Sequence, residues 1–171
     1  MTLNYFAILG IEPAATLNAA ELERHYLELQ HRFHPDRHAH RPTAERRATM
    51  EAAARINEAY RLLRDPISRS THLLALRGTD VLSATDLPGD FLARQLDWHE
   101  ALDGARRAGD LERLAELADG FVAERARLED RLIKALDEHG DEADAVAVLR
   151  QLMFLRRLIE QAQLAADGAE P

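Results

Sequence analysis

Apolar residues recur at spacings of three and four along most of the chain, which is the period of an α-helix with one buried face. Strong helix formers, above all Ala, Leu, Glu and Arg, dominate the sequence, and runs of β-branched and aromatic residues are missing. The pattern therefore predicts an all-α fold. Two examples of the series are Leu22, Tyr26, Leu29, Phe33 and Val148, Leu152, Leu155, Ile159.

Capping residues, glycines and prolines divide the first half of the sequence into helices. Asn4 and Gly10 bound a short one, and Asn18 and Glu21 form a capping box that begins the next. Regular helix is excluded between residues 34 and 41, where a proline lies near each end of the segment. The helices on either side should pair as an antiparallel hairpin that the short first helix covers. The predicted helices span residues 5–9, 18–33, 43–65 and 67–77.

The second half predicts a three-helix bundle. Three long periodic segments are separated only by Gly109 and by His139-Gly140, and short turns between long helices favour antiparallel neighbours. They cover residues 90–108, 110–138 and 141–166. The domain prediction is a helical domain over residues 1–77, a linker rich in turn-forming residues over 78–89, and the bundle over 90–171.

Composition restricts the class of function. The 171 residues include no cysteine, which excludes disulfides and thiolate-bound clusters. Neither a signal peptide nor a membrane-spanning run is present, so the expectation is a cytoplasmic protein with no membrane partner. A net charge of −8 argues against nucleic acid as a partner. The charge is about +2 over residues 1–77 and about −10 over residues 78–171. This split suggests either two surfaces for two partners or simply two solvated helical surfaces.

The tripeptide His34-Pro35-Asp36 lies in the loop of the predicted hairpin, between two amphipathic helices. With the segments YFAILGI at 5–11 and INEAYRLLRDP at 56–66, it makes the first half resemble a J domain. The resemblance implies a non-enzymatic regulator that binds a DnaK-type chaperone and stimulates its ATPase. The expected chaperone-binding residues are His34, Pro35, Asp36, Arg37, Arg24 and His31.

The same loop offers two other interpretations. His34 could simply contact the end of its helix, where a histidine favours the helix dipole. The residues His31, His34, Asp36, His38 and His40 also form a cluster whose imidazoles suit zinc, nickel or copper. That spacing fits no standard structural zinc site, so neither a metal nor another cofactor is predicted. A metal-responsive helical adaptor remains the alternative.

The whole chain resembles the HscB-type family of iron–sulfur co-chaperones. The resemblance rests on DPISRS at 65–70, FLARQLD at 91–97 and LMFLRRL at 152–158. It implies an adaptor that delivers the cluster scaffold protein IscU to the chaperone HscA. A J protein that serves another client is the second alternative. The residues that the resemblance assigns to scaffold binding are Leu92, Leu96, Asp97, Glu100 and Phe154.

Helical geometry makes a separate prediction about these residues. At about 100° per residue, Phe91, Trp98 and Leu102 fall on the core stripe of the first bundle helix, and Leu92 and Leu96 lie well away from it. Phe154 lies roughly 130° from the core stripe of the last helix and should point outward. The sequence therefore predicts a small exposed apolar patch with an acidic edge.

Overall fold

The computed structural model describes residues 3–34, 42–81 and 89–167, and within these ranges every regular element is a helix. The predicted all-α fold is confirmed. The chain divides into two compact units between Thr79 and Asp80. The elements are α1 (Tyr5–Leu9), α2 (Ala19–Arg32), α3 (Thr43–Arg64), α4 (Pro66–Arg77), α5 (Gly89–Ala108), α6 (Leu111–Ile133), a π-helical segment (Lys134–His139) and α7 (Glu142–Asp167).

The predicted caps are present at the first two helices. The side chain of Asn4 accepts a hydrogen bond from the N–H of Ala7, and that of Asn18 accepts from the N–H groups of Ala20 and Glu21. Gly10 ends α1 with φ of 66°, a left-handed conformation that disfavours other residues. The chain can therefore turn sharply between α1 and α2.

The first unit is built on the α2–α3 hairpin. Its core residues come from all four helices and from the α1–α2 loop, and α1 packs on both arms of the hairpin. Tyr5 also attaches α1 to α3 through a hydrogen bond to Glu58, and this bond raises the pKa of the Tyr5 hydroxyl. The buried apolar residues are Phe6, Leu9, Ala15, Leu22, Ile56, Ala59, Leu63, Ile67, Leu73 and Leu74.

A buried arginine fixes the α1–α2 loop. The guanidinium of Arg69 on α4 donates to the carbonyl of Ala15 at 2.9 Å and to that of Leu63 at 2.7 Å. It therefore satisfies two backbone acceptors, one in the loop and one near the end of α3. Asp65 caps the N-terminus of α4, and Pro66 occupies its first turn, where a missing N–H costs nothing.

The second unit contains the three-helix bundle, in which α6 and α7 share the largest interface. The predicted middle helix to residue 138 requires one correction, because regular α-helix ends at Ile133 and wider π turns continue to His139. In these turns Ala135 and Leu136 are both buried, and the N–H of Gly140 caps the carbonyl of Ala135. Across this end of the bundle Arg131 pairs with Asp144.

Candidate functional site

The outer face of α2 carries the residues expected to bind a chaperone. Arg24, Leu27 and His31 are all exposed. The positive charge of this face is small, because Arg24 forms an ion pair with Glu28 at 3.3 Å and lies 3.9 Å from Glu21. Leu27 is 56% exposed between these groups. The face thus offers an apolar side chain flanked by partly neutralised charge.

His34 follows the C-terminal cap of α2 and is exposed. The cap itself is formed by Phe33, whose N–H donates to the carbonyl of Leu29 at 2.9 Å, and the Arg32 guanidinium lies over the Phe33 ring. The C-terminus of α2 is therefore capped by the backbone N–H of Phe33. The predicted residues Pro35, Asp36 and Arg37 lie outside the described residues.

Contacts between α2 and α3 hold the stem of this loop. The rings of Tyr26 and Tyr60 stack with centroids 4.0 Å apart, and the Tyr26 hydroxyl donates to the Asn57 side chain at 3.1 Å. The Gln30 amide also donates to Asn57. These contacts lie one to two turns before His34, so they fix the direction in which the chain enters the loop.

The proposed metal cluster is only partly within the described ranges. His31 and His34 are described, whereas Asp36, His38 and His40 lie outside. Among the described residues, no group of three or more His, Asp or Glu side chains is arranged to hold a metal ion.

The first bundle helix separates its two faces as the periodicity predicts. Phe91 and Leu102 are buried, Trp98 is half-buried, and Leu92 and Leu96 are 50% and 61% exposed. The predicted rim residues Asp97 and Glu100 are exposed as well. The exposed leucines therefore form an apolar surface beside two carboxylates.

Phe154 does not point outward in the way that its helical angle predicts. It is half-buried, and its ring packs against Phe91, Trp98 and His99 with centroids 5.8, 6.4 and 5.4 Å away. The reason is that α7 contacts α5 as well as α6, so its buried arc is wider than one stripe. Phe154 therefore joins the core to the edge of the apolar surface.

An arginine missed at the sequence level holds α5 in place. The Arg94 guanidinium pairs with Glu124 of α6 at 3.1 Å and lies over the rings of Phe91 and Trp98. Hydrogen bonding by Arg127, followed by the charges of Arg127 and Arg94, lowers the pKa of Glu124 against the opposing effect of burial. Arg94 lies three residues after Phe91 and four residues before Trp98, and this helical spacing is the signal in the sequence that could have identified it.

Comparison with known families covers both units. A DnaJ-domain model matches residues 4–72, and a model described as the HSCB C-terminal oligomerisation domain matches residues 87–163. Within the described ranges, no helix is long and apolar enough to cross a membrane.

Similar proteins match over nearly their whole length. The co-chaperone protein HscB homolog of Ralstonia nicotianae is 40% identical over 95% of this chain and 94% of that protein. The homolog of Azoarcus is 35% identical over 98% and 96%. The structure of chaperone HscB from Vibrio cholerae has a TM-score of 0.84 at 28% identity and covers 98% of this chain and 100% of that chain.

Human co-chaperone HscB shares the fold, with a TM-score of 0.87 at 24% identity over 95% of this chain and 82% of that one. The DnaJ domain and the helical unit that follows it in the sequence define a J-domain co-chaperone, whose partner is a DnaK-type chaperone. The two family matches and the full-length relatives specify it further: the chain belongs to the HscB family of co-chaperones.

Proposed function

We propose that this protein stimulates the ATPase of an HscA- or DnaK-type chaperone and delivers the iron–sulfur scaffold protein IscU to it. The observation that carries the proposal is the presence, in one chain, of a DnaJ domain and an HscB C-terminal domain. Such a protein is an adaptor in the cytoplasm that promotes cluster assembly and transfer. It is a regulator, and the chaperone performs the hydrolysis.

The first unit provides the contact with the chaperone. His34 is exposed two residues after the end of α2, and the Tyr26–Tyr60 stack fixes the direction of that helix. Arg24, Leu27 and His31 extend the same surface along α2. Pro35, Asp36 and Arg37 complete the proposed contact, with Asp36 as an acceptor for chaperone donors.

The second unit provides the contact with the scaffold. Leu92 and Leu96 offer apolar area that is open to a partner, and Asp97 and Glu100 offer carboxylates beside it. Phe154 supports the edge of this area from α7. A partner that fits has an apolar anchor and basic side chains around it, because the bundle half of the chain carries a charge of about −10.

The test is a single-turnover ATPase assay with the chaperone, IscU and the full-length protein. The wild type should accelerate hydrolysis, and His34→Gln should abolish the acceleration while changing the free energy of unfolding by less than about 0.5 kcal/mol. His139→Gln, an exposed histidine of the second unit, is the matched control and should behave as the wild type.

Three results would contradict parts of this proposal. Full stimulation by His34→Gln would exclude the proposed chaperone contact. Unfolding of that variant would show that His34 has a structural role. Stimulation of the chaperone without binding of IscU would indicate a J protein with a different client.

A further inference from the structure

The exposed face of α5 extends beyond the two leucines. Leu92, Leu96, His99 and Asp103 follow each other at intervals of four, three and four residues, and all four are exposed. At about 100° per residue they fall within an arc of about 60°. His99 therefore lies on the same stripe as the proposed client-binding leucines.

His99 also connects this stripe to α7. Its ring meets that of Phe154 edge to face, with centroids 5.4 Å apart and planes at 82°. Arg94, on the opposite flank of α5, pairs with α6. Phe154 packs against three rings of α5, and of these only the ring of His99 belongs to an exposed residue. The imidazole therefore lies between the exposed stripe of α5 and Phe154.

The chemistry of His99 differs from that of the other surface residues. Leucine and phenylalanine offer no hydrogen bond, and the carboxylates of Asp97, Glu100 and Asp103 only accept. A neutral imidazole carries one N–H donor and one acceptor. Among these surface residues, His99 is thus the group that can donate to an acceptor on a partner.

We propose that His99 is a client-contact residue that determines specificity, its ring N–H donating to a carbonyl of the scaffold protein. This inference rests on the proposed function. Docking on the leucines removes water from the imidazole, and an N–H left without an acceptor there is costly. Clients that lack an acceptor opposite His99 are therefore disfavoured, even when their apolar and basic groups fit.

The experiment measures binding of purified IscU to the full-length protein by calorimetry, with wild type, His99→Ala, His99→Phe and Leu96→Ala. His99→Phe retains a ring against Phe154 but removes the donor. Both His99 variants should bind about tenfold more weakly than wild type. His139→Ala, an exposed histidine of the same unit, should bind normally. The melting temperature of His99→Phe should match the wild type, because a ring remains against Phe154, whereas His99→Ala loses that one contact and should melt slightly earlier.

The outcomes separate the two proposals. Normal binding by both His99 variants, with weaker binding by Leu96→Ala, would overturn the inference and leave the proposed function intact. Normal binding by His99→Phe alone would overturn the donor role, since ring packing would then suffice. Absence of binding by the wild type would overturn the proposed client and this inference with it.

Discussion

The backbone N–H of Tyr5 donates a hydrogen bond to Nε2 of His72 at 3.2 Å, which joins two residues 67 positions apart. His72 is buried, and its ring lies against those of Tyr5 and Phe6. Burial lowers the pKa of His72 below its ordinary value of 6.5. Only an unprotonated ring nitrogen can accept the Tyr5 hydrogen bond, so the proton and α1 compete for the same atom.

The first prediction is that this contact makes the stability of the first unit depend on pH. The folded state has the lower His72 pKa, so the unfolded state binds more protons between the two pKa values. The free energy of unfolding should therefore decrease as pH falls below about 6.5, by at most about 1.4 kcal/mol per pH unit from this group. Chemical denaturation between pH 8 and pH 5 measures it.

His72→Gln supplies the comparison, because an amide can accept the Tyr5 hydrogen bond but does not titrate in this range. As the pH falls, the free energy of unfolding of the wild type should decrease more steeply than that of His72→Gln, so the advantage of the wild type over the variant should become smaller. A constant difference between wild type and His72→Gln would contradict the prediction.

The second prediction concerns Arg69. Arg69→Met keeps much of the side-chain volume but leaves the carbonyls of Ala15 and Leu63 without this donor. The cost should be about 2–4 kcal/mol of unfolding free energy, since buried acceptors that lose a charged partner are expensive. Arg64→Met, at an exposed position of α3, should cost less than about 0.5 kcal/mol. If the two variants lose the same unfolding free energy, the hydrogen bonds of Arg69 to Ala15 and Leu63 do not stabilise the fold.

The third prediction separates the two parts of the client surface. Leu92→Ala with Leu96→Ala should weaken IscU binding at least tenfold, about 1.4 kcal/mol, with little change in stability because both side chains are exposed. Phe154→Ala should instead destabilise the bundle by about 2 kcal/mol, since it removes three ring contacts. Thermal melts beside the binding titrations distinguish these effects. A destabilised leucine variant would mean that those side chains belong to the core.

The fourth prediction concerns metal. Tag-free protein should contain no stoichiometric zinc, nickel or iron, because the histidine spacing fits no standard structural zinc site. Elemental analysis of the purified protein tests this. One metal per chain that is lost when His31, His38 and His40 are all replaced by alanine would favour the metal-responsive adaptor instead.

Local rules were sufficient for most of the fold. The caps at Asn4 and Asn18, the end of α1 at Gly10 and the buried stripe of α7 all follow from the spacing of a few neighbouring residues. The exposure of Leu92 and Leu96 followed from helical angle alone. Each of these features depends on residues within one or two turns, which is the range that sequence periodicity describes.

Features that depend on contact between distant segments could not be predicted in this way. The half-buried position of Phe154 results from α5 packing on a second side of α7. The angular position of Phe154 around α7 follows from the sequence alone and does not depend on that neighbouring helix. Arg69 and His72 are buried polar residues whose partners lie 54 and 67 positions away. The π turns after Ile133 likewise interrupt a periodicity that continues in the sequence.

The aromatic cluster around Trp98 gives the second unit an optical signal that is separate from that of the first unit. Trp98 is the only tryptophan and belongs to the second unit, whereas the three tyrosines, Tyr5, Tyr26 and Tyr60, all belong to the first. Trp98 lies beneath the Arg94 guanidinium and against Phe121 and Phe154, so its emission depends on the packing of α5 on α6 and α7. Unlabelled protein can thus report on the loosening of its bundle by tryptophan fluorescence, while tyrosine absorbance follows its other half.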